Sequence, residues 1–307
     1  MVRPRFVIAG ASGLVGSHLT PVLQARGAEV VRLVRSGLAR GPAEARWQPD
    51  QSMLDPAAIA GATAVVHLAG ESLAGGPWTA SRRAAILESR VQGTRLLAQT
   101  LARLPEPRPT LLSASAVGYY GDRGSEPLNE DSPPGDGFLP QVCQAWEAAA
   151  DSAREEGARV VHLRFGVVLA ADGGALPRFV TPTRLGLGAV LGSGRQVMSW
   201  VAMADVLGAI LHCLDTPELQ GPVNVTAPEA VTNAEFMRAL GQVLHRPVML
   251  RVPATFLELA MGDLAREVLL ASARAVPRRL LDSGYQFQHP TIEKALRAEL
   301  RAQEVET

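Results

Sequence analysis

Short apolar runs alternate with segments of helical hydrophobic spacing through the first half of the chain. Val15, Leu19 and Leu23 predict a helix after the first run, because apolar residues at this spacing share one helix face. Two longer helices are predicted over residues 79–104 and 141–155. The apolar runs predict strands at residues 5–9, 29–34, 46–48, 63–69, 110–113 and 158–163.

This alternation predicts an α/β protein with a doubly wound parallel sheet of the Rossmann type. Beyond residue 176 the spacing becomes irregular. We therefore expect a Rossmann domain over residues 1–175 and a smaller α/β lobe over residues 176–307, packed over the strand ends. Residues 121–140 are rich in glycine and proline and are predicted as a surface loop. Ligands of such sheets bind beyond the carboxyl ends of the strands, so residues that follow each strand are the functional candidates.

The first predicted strand leads directly into a glycine turn at residues 10–16, Gly-Ala-Ser-Gly-Leu-Val-Gly. Glycines at this spacing, between a strand and a helix, let backbone N–H groups approach a pyrophosphate, and the helix dipole favours its negative charge. The turn therefore predicts a dinucleotide site. A glycine turn that binds no ligand is the alternative interpretation.

The second predicted strand ends at Val34 and is followed by Arg35 and Ser36. NAD-binding proteins of this layout usually place an acidic residue here, against the ribose hydroxyls. An arginine would instead form charge-assisted hydrogen bonds with a 2′-phosphate, so we expect NADP(H) as the cofactor. An exposed arginine without a ligand is the alternative.

Composition narrows the classes of partner. The 30 basic and 30 acidic residues cancel, so no overall field favours nucleic acid or a membrane surface. No apolar stretch approaches the roughly 20 residues of a membrane span, and the start does not fit a signal peptide, so we expect a cytoplasmic protein. Cys143 and Cys213 are predicted as reduced buried thiols. The six histidines lack metal-ligand spacing, so no metal site is expected.

Further motifs lie along the whole chain and accompany the glycine turn. They are Leu-Ala-Gly-Glu at 68–71, Ser-Ala-Ser-Ala-Val-Gly-Tyr-Tyr-Gly-Asp at 113–122, Leu-Arg-Phe-Gly-Val-Val-Leu at 163–169, Gly-Ser-Gly-Arg-Gln at 192–196 and His-Arg-Pro at 245–247. Together these motifs resemble the extended short-chain dehydrogenase/reductases. Within them the resemblance is to the nucleotide-sugar epimerase-like subgroup, often labelled "epimerase family protein", whose substrate is unknown.

The resemblance implies a set of NADP(H) contacts at the strand ends. They are Gly10, Ser12, Gly13, Leu14 and Val15 for the pyrophosphate, Arg35 with Ser36 for the adenosine phosphate, Leu68 and Ala69 with Gly70 for the adenine and ribose, Arg90 on the long helix, and Val168 near the nicotinamide. Ordinary strand-end packing is the alternative for Leu68, Ala69 and Val168.

The resemblance also implies a catalytic Ser or Thr and a Tyr-x-x-x-Lys pair, in which the lysine lowers the pKa of the tyrosine. This chain has Leu139 and Cys143 at the positions of the pair, and its sole lysine is Lys294. The usual mechanism is therefore not available to it.

Ser115, Tyr119 and Tyr120 are the remaining catalytic candidates. Ser115 matches the family serine, although a hydroxyl that only caps the strand end is the alternative. Either tyrosine could donate a proton, but the sequence shows no cation placed to lower its pKa. Trp146 and Glu147 are interpreted as packing and helix-surface positions.

Two hypotheses follow from these residues. The first is an NADP(H)-dependent oxidoreductase or epimerase-like enzyme that acts on a small carbonyl or sugar-like substrate and relies mostly on positioning. The second is a non-catalytic NADP(H)-binding redox sensor or regulatory protein. The resemblance leaves open a homodimer formed through helices 79–104 and 141–155.

Replacement of Arg35 by Asp tests the cofactor assignment. We expect Arg35→Asp to weaken NADPH binding far more than NADH binding, because only NADPH carries the 2′-phosphate that the guanidinium would meet. Calorimetric titration of both cofactors measures the difference. An equal loss for the two would contradict the assignment.

Overall fold

A computed structural model describes residues 3–35 and 41–305, with only the backbone of residues 302–305 described. The strands are β1 Arg5–Ala9, β2 Glu29–Val34, β3 Glu44–Gln48, β4 Met53–Leu54, β5 Ala64–His67, β6 Thr110–Ala116, β7 Pro127–Leu128, β8 Val160–Phe165, β9 Val167–Ala170, β10 Gly173–Gly174, β11 Ala189–Leu191, β12 Val197–Met198, β13 Trp200–Ala202, β14 Gly221–Val225, β15 Val231–Thr232, β16 Leu250–Val252 and β17 Arg274–Ala275. The α-helices are α1 Leu14–Ala25, α2 Ala80–Ala102, α3 Phe138–Ala148, α4 Asp151–Glu155, α5 Leu176–Arg184, α6 Met203–Asp215, α7 Asn233–Val243, α8 Ala254–Met261, α9 Arg278–Asp282 and α10 Ile292–Val305.

The large sheet has the strand order β14-β8-β6-β5-β1-β2-β3-β4. All its neighbouring strands are parallel except β3 and β4. The chain proceeds from β1 to β2 on one side and returns to β5 on the other side of β1. The carboxyl ends of β1 and β5 therefore form a topological switch point, where Rossmann sheets bind ligands. The predicted α/β fold is confirmed.

Each face of the large sheet carries its own apolar core. On one face, α1 and α6 pack against Ile8, Val66 and Leu163. On the other, α2 and α4 pack against Val65 and Trp47. Full burial of a large aliphatic side chain contributes roughly 1.5–3 kcal/mol, so these two layers hold the strand ends in fixed positions.

The chain beyond residue 176 is not one separate lobe. A third core around Trp200, Phe236 and Leu296 joins α5, α7 and α10. However, α6 and β14 return to the large sheet, because Val206 and Val223 are buried in the same core as α1. The predicted boundary at residue 175 therefore separates elements that share one core.

The region from residue 121 to 155 differs in detail from its prediction. The expected single helix over 141–155 is two helices, α3 and α4. The break lies where the N–H of Ala150 bonds to the carbonyl of Glu147, three residues back, and so tightens the turn. The expected loop holds the short strand β7 and ends earlier, because α3 begins at Phe138.

Asp205 near the start of α6 fastens the segment that leads to α10. Its carboxylate is buried and accepts hydrogen bonds from the backbone N–H groups of Gln288, at 2.7 Å, and His289, at 2.9 Å. The hydroxyl of Tyr285 also donates to it, at 3.2 Å.

We expect Asp205→Ala to lower the free energy of unfolding by about 3 kcal/mol, since buried donors left without an acceptor are costly. Urea denaturation measures the change. Asp215→Ala on the same helix is the matched control. The Asp215 side chain is 58% exposed in its ion pair with Arg26, so its loss should cost about 0.5 kcal/mol or less. Equal costs for the two variants would contradict the anchoring role.

Candidate active site

The glycine turn lies at the switch point, against the backbone that leaves β5. Gly10 has a φ of +88°, and a Cβ there would lie 2.7 Å from the N atom of Ala69 and 2.8 Å from the carbonyl carbon of Leu68. A Cβ on Gly16 would overlap the carbonyl oxygen of Gly10. These two positions exclude a side chain, so the start of α1 packs directly on the turn.

The glycine turn leads directly into the N-terminus of helix α1. Its N-cap residue, Gly13, supplies no side-chain cap, and the first turn contains no acidic residue. Ser12 and Gly13 are exposed, whereas Leu14 and Val15 are half-buried against the core. A helix N-terminus in this state presents N–H groups and a positive dipole end to an anion. The turn therefore fits a dinucleotide diphosphate.

Two further strand ends extend the same edge. Arg35 directly follows β2, the neighbour of β1, and is exposed. Ser36 lies outside the described residues. Leu68 and Ala69 are half-buried at the end of β5, and Gly70 beside them is exposed.

Arg90 on α2 reaches the segment that follows β5. Its Nη1 donates to the carbonyl oxygens of Glu71 and Ile86, each at 3.0 Å, and its guanidinium stacks on the ring of Trp146 at 5.0 Å. Burial lowers the pKa of Arg90. An arginine keeps its charge even so, because its ordinary pKa lies far above neutrality. Val168 lies farther along, half-buried on β9 beside Val201.

A cavity of about 500 Å³, called here the strand-end cavity, opens beyond the ends of β6 and β8. Residues that follow these two strands line it, together with one face of α3 and the segment that follows α8. Its wall includes Ala116, Val117, Gly118, Leu139, Cys143, Trp146, Phe165, Gly166 and Arg90. Its volume lies in the ordinary range for a small-molecule site.

Ser115 lies behind the wall of this cavity, where Ala116 takes the facing position. The Ser115 hydroxyl is buried and donates to Oε1 of Glu147 at 2.7 Å. The same carboxylate pairs with Arg164 through two hydrogen bonds, each 2.8 Å long. The Arg164 and Glu147 side chains are only 3% and 14% exposed. The catalytic assignment of Ser115 stays an untested prediction that this arrangement does not favour.

Arg164 and Glu147 hold each other in their charged forms. Burial acts to raise the pKa of the Glu147 carboxyl, but the hydrogen bonds and charge of Arg164 outweigh it and lower the pKa. Conversely, the carboxylate of Glu147 raises the pKa of Arg164 although burial opposes this. Glu147 therefore remains ionised and is a poor proton acceptor at neutral pH.

The two tyrosines also pack around Arg164. Tyr120 is fully buried, and its hydroxyl donates to Oδ1 of Asn224 at 2.7 Å. Burial raises the pKa of Tyr120 to about 12. The guanidinium of Arg164 lies 3.5 Å from the ring centre of Tyr119, which is half-buried. Neither tyrosine is part of the cavity wall, so their catalytic assignments also stay untested predictions.

The positions of the missing Tyr and Lys pair face the strand-end cavity. Leu139 makes an apolar wall, and the Cys143 thiol contacts the carbonyl oxygen of Ala116 at 3.7 Å. Burial raises the pKa of Cys143 to about 12, so its thiol stays protonated and is a weak nucleophile. Within residues 3–35 and 41–305, no group of three or more His, Cys, Asp or Glu side chains could hold a metal ion.

Sequence reasoning missed the pair of Glu147 and Arg164. Glu147 is not the helix-surface residue that its position suggested, because α3 turns it toward β8. The available signal was Arg164 itself, a charged residue inside the apolar run of β8. A buried arginine requires a carboxylate or several carbonyl partners, so its presence predicts an acidic partner on a covering helix.

The segment after α8 completes the cavity from the other end of the chain. Ala265–Leu269 forms a π-helical turn. Within it, the Glu267 carboxylate accepts hydrogen bonds from the backbone N–H groups of Phe138, at 3.1 Å, and Leu139, at 2.7 Å. Glu267 therefore caps the N-terminus of α3, the helix that carries the cavity wall.

The fold and the site together define a Rossmann-like α/β protein with a glycine turn at the switch point and a small-molecule cavity beyond the strand ends. The chain belongs to the NAD dependent epimerase/dehydratase family, whose model matches residues 6–226. A domain of unknown function (DUF1731) matches residues 252–299.

Relatives cover nearly the whole chain. The epimerase family protein MT2273 of Mycobacterium tuberculosis is 43% identical over 296 residues, which are 96% of this chain and 97% of that protein. The crystal structure of human epimerase family protein SDR39U1 (isoform 2) with NADPH is 33% identical and has a TM-score of 0.86. The similarity covers 97% of this chain and 99% of the human one.

A nucleoside-diphosphate sugar epimerase from Corynebacterium glutamicum is 34% identical, with a TM-score of 0.79. Its similarity covers 99% of this chain and 62% of the bacterial one.

In the part of the chain that the structure describes, no helix is long and apolar enough to cross a membrane.

The buried pair gives a pH-dependent prediction. We expect Glu147→Gln to lower the free energy of unfolding at pH 7 by about 3 kcal/mol, because the buried Arg164 charge then lacks its carboxylate partner. The folded-state pKa of Glu147 lies below its ordinary value, so its contribution is present above that ordinary value. It is lost as the pH falls through the lowered pKa.

The stability difference between the wild type and Glu147→Gln should therefore be largest above the ordinary pKa of a glutamate and shrink as the pH falls below it, through the lowered pKa of Glu147. Urea denaturation at stepped pH measures it. Glu155→Gln on the exposed side of α4 is the control, and it should change stability by about 0.5 kcal/mol or less. A pH-independent difference would contradict the assignment.

Proposed function

We propose that this protein binds NADP(H) along the switch-point edge and reduces a small carbonyl compound in the strand-end cavity. The observation that carries the proposal is the cradle at Gly10 and Gly16, which excludes any side chain and leaves the first turn of α1 open to a diphosphate. The human relative SDR39U1 was crystallised with NADPH, which supports the same cofactor here.

Different residues of this protein would bind the phosphate groups and the rings of NADP(H). The turn at residues 10–16 and the N-terminus of α1 would hold the diphosphate, and Arg35 the 2′-phosphate. Leu68, Ala69 and Val168 offer apolar strand-end surface to the flat rings. The turn, Arg35, Leu68 and Ala69 follow strands at one edge of the large sheet, and Val168 lies on β9 shortly after β8 ends, so together they could bind a single extended molecule.

NADPH supplies a hydride when it is bound, and the chemistry left to the protein is to hold the carbonyl and to stabilise charge on its oxygen. Arg90 is the half-buried cation of the strand-end cavity wall, and we assign it this second role. We assign the proton on the oxygen to water, because Ser115, Tyr119 and Tyr120 lie behind the cavity wall. Closely held reactants account for the remaining rate enhancement.

A non-catalytic NADPH-binding protein is the second candidate. The observation that favours it is that Ser115, Tyr119 and Tyr120 lie behind the wall, which leaves the strand-end cavity without a tyrosine among the described residues that line it. Such a protein would bind the cofactor tightly, turn over no carbonyl compound and bind a partner only in one cofactor state.

Turnover with NADPH and a panel of aldehydes and ketones, followed by absorbance at 340 nm, separates the two candidates. We expect turnover with at least one carbonyl compound. We expect Arg90→Gln to lower kcat by about a hundredfold, the usual loss when one stabiliser of a developing oxyanion is removed.

Arg95→Gln is the matched control, because Arg95 is exposed on the same helix and away from the cavity. It should leave kcat unchanged. Ser115→Ala and Tyr119→Phe should also retain turnover, since neither side chain reaches the cavity wall. Tight binding of NADPH without any turnover would reject the enzyme in favour of the sensor.

A further inference from the structure

A second cavity, of about 600 Å³, adjoins the strand-end cavity and is called here the apolar cavity. Val268 of the π-helical turn lines both cavities and is 40% exposed. The loop after β5 is shared in the same way, with Leu73 in one wall and Ser72 in the other. A molecule longer than the strand-end cavity would therefore extend past Val268 into the apolar cavity.

The wall of the apolar cavity is made almost entirely of hydrocarbon. Phe179 on α5, Leu191 on β11 and Leu257 on α8 contribute to it, and α7 and the π-helical turn add further apolar side chains. Leu187, which also lines this cavity, is 58% exposed. Exposed apolar surface around a concave apolar site is typical of ligand binding.

Charge is scarce in this wall. Among the described residues that line the apolar cavity, Arg178 is the only charged side chain, and it is exposed. A nucleoside diphosphate would bring two phosphate groups, which proteins meet with several cations or N–H groups. The apolar cavity provides little of either, so it suits a hydrocarbon chain better than a sugar nucleotide.

We propose that the substrate is a carbonyl compound with a long hydrocarbon chain, whose carbonyl group lies in the strand-end cavity and whose chain lies in the apolar cavity. The proposal rests on the proposed function for the reacting end of the molecule, and on the apolar cavity alone for the chain. Reduction converts the carbonyl to the alcohol, with the hydride from NADPH and the proton from water, and leaves NADP⁺.

Binding of straight-chain alcohols tests the apolar cavity without any turnover, because an alcohol cannot accept a hydride from NADPH. The test is calorimetric titration of 1-hexanol, 1-decanol and UDP-glucose into the full-length protein, with and without NADPH. Each methylene buried from water should strengthen binding by about fourfold, so decanol, with four more methylenes, should bind about 250-fold more tightly than hexanol. UDP-glucose should give no heat.

Two substitutions test where the hydrocarbon chain of the ligand binds. Leu187→Asp and Val268→Asp each place a carboxylate in the wall of the apolar cavity, and each should weaken decanol binding at least tenfold. Leu185→Asp is the matched control, because Leu185 is 72% exposed and lies two residues away, outside both walls. It should bind decanol as the wild type does. Circular dichroism and thermal melting confirm that each variant is folded.

The outcomes separate this proposal from the proposed function. If decanol binds as expected and decanal is not reduced, the apolar cavity assignment stands and the hydride transfer fails. If short aldehydes are reduced while decanol gives no heat, the apolar cavity assignment fails alone. Heat from UDP-glucose, or decanol binding that neither substitution weakens, would also overturn it.

Discussion

The absence of two side chains at the switch point is the constraint on which the rest of this structure depends. Gly10 brings its backbone against the segment that leaves β5, and Gly16 lets α1 begin directly above it. A methyl group at either place would push the helix away from the sheet. The glycine turn and the half-buried residues that follow β5 take their positions from this close contact.

Behind that edge, two buried charges pair with each other and do not face the strand-end cavity. Arg164 and Glu147 neutralise each other behind the wall, and they hold Ser115 and Tyr119 with them. The wall presents a neutral thiol, leucine and backbone, with Arg90 and Glu267 half-buried at it and Asp122, Asp136 and Arg266 exposed. A polar network that is fully paired is rigid, whereas an apolar wall adapts to the shape of its ligand. The apolar part of the site therefore fits recognition by shape.

Most strands of the large sheet could be predicted from local sequence, because each of them carries its own apolar run. The helices that connect them could be predicted because their apolar residues have helical spacing. The glycine turn, Arg35 and the end of β5 could be placed in the same way, since strand ends of a parallel sheet meet at one edge. The pairing of Glu147 with Arg164 could not, because it joins residues 17 positions apart through the packing of α3 on β8. The return of β14 to the large sheet depends on tertiary packing in the same way.

Glu267 has a consequence for how the two matched regions of this chain can vary. It lies in the region matched to a domain of unknown function, yet its carboxylate holds the first N–H groups of α3, which lies in the epimerase region. A chimera that took residues 252–299 from a protein without an acid at this place would leave α3 uncapped. A chimera of the two regions therefore needs an acidic residue at position 267 to keep the N-terminus of α3 capped.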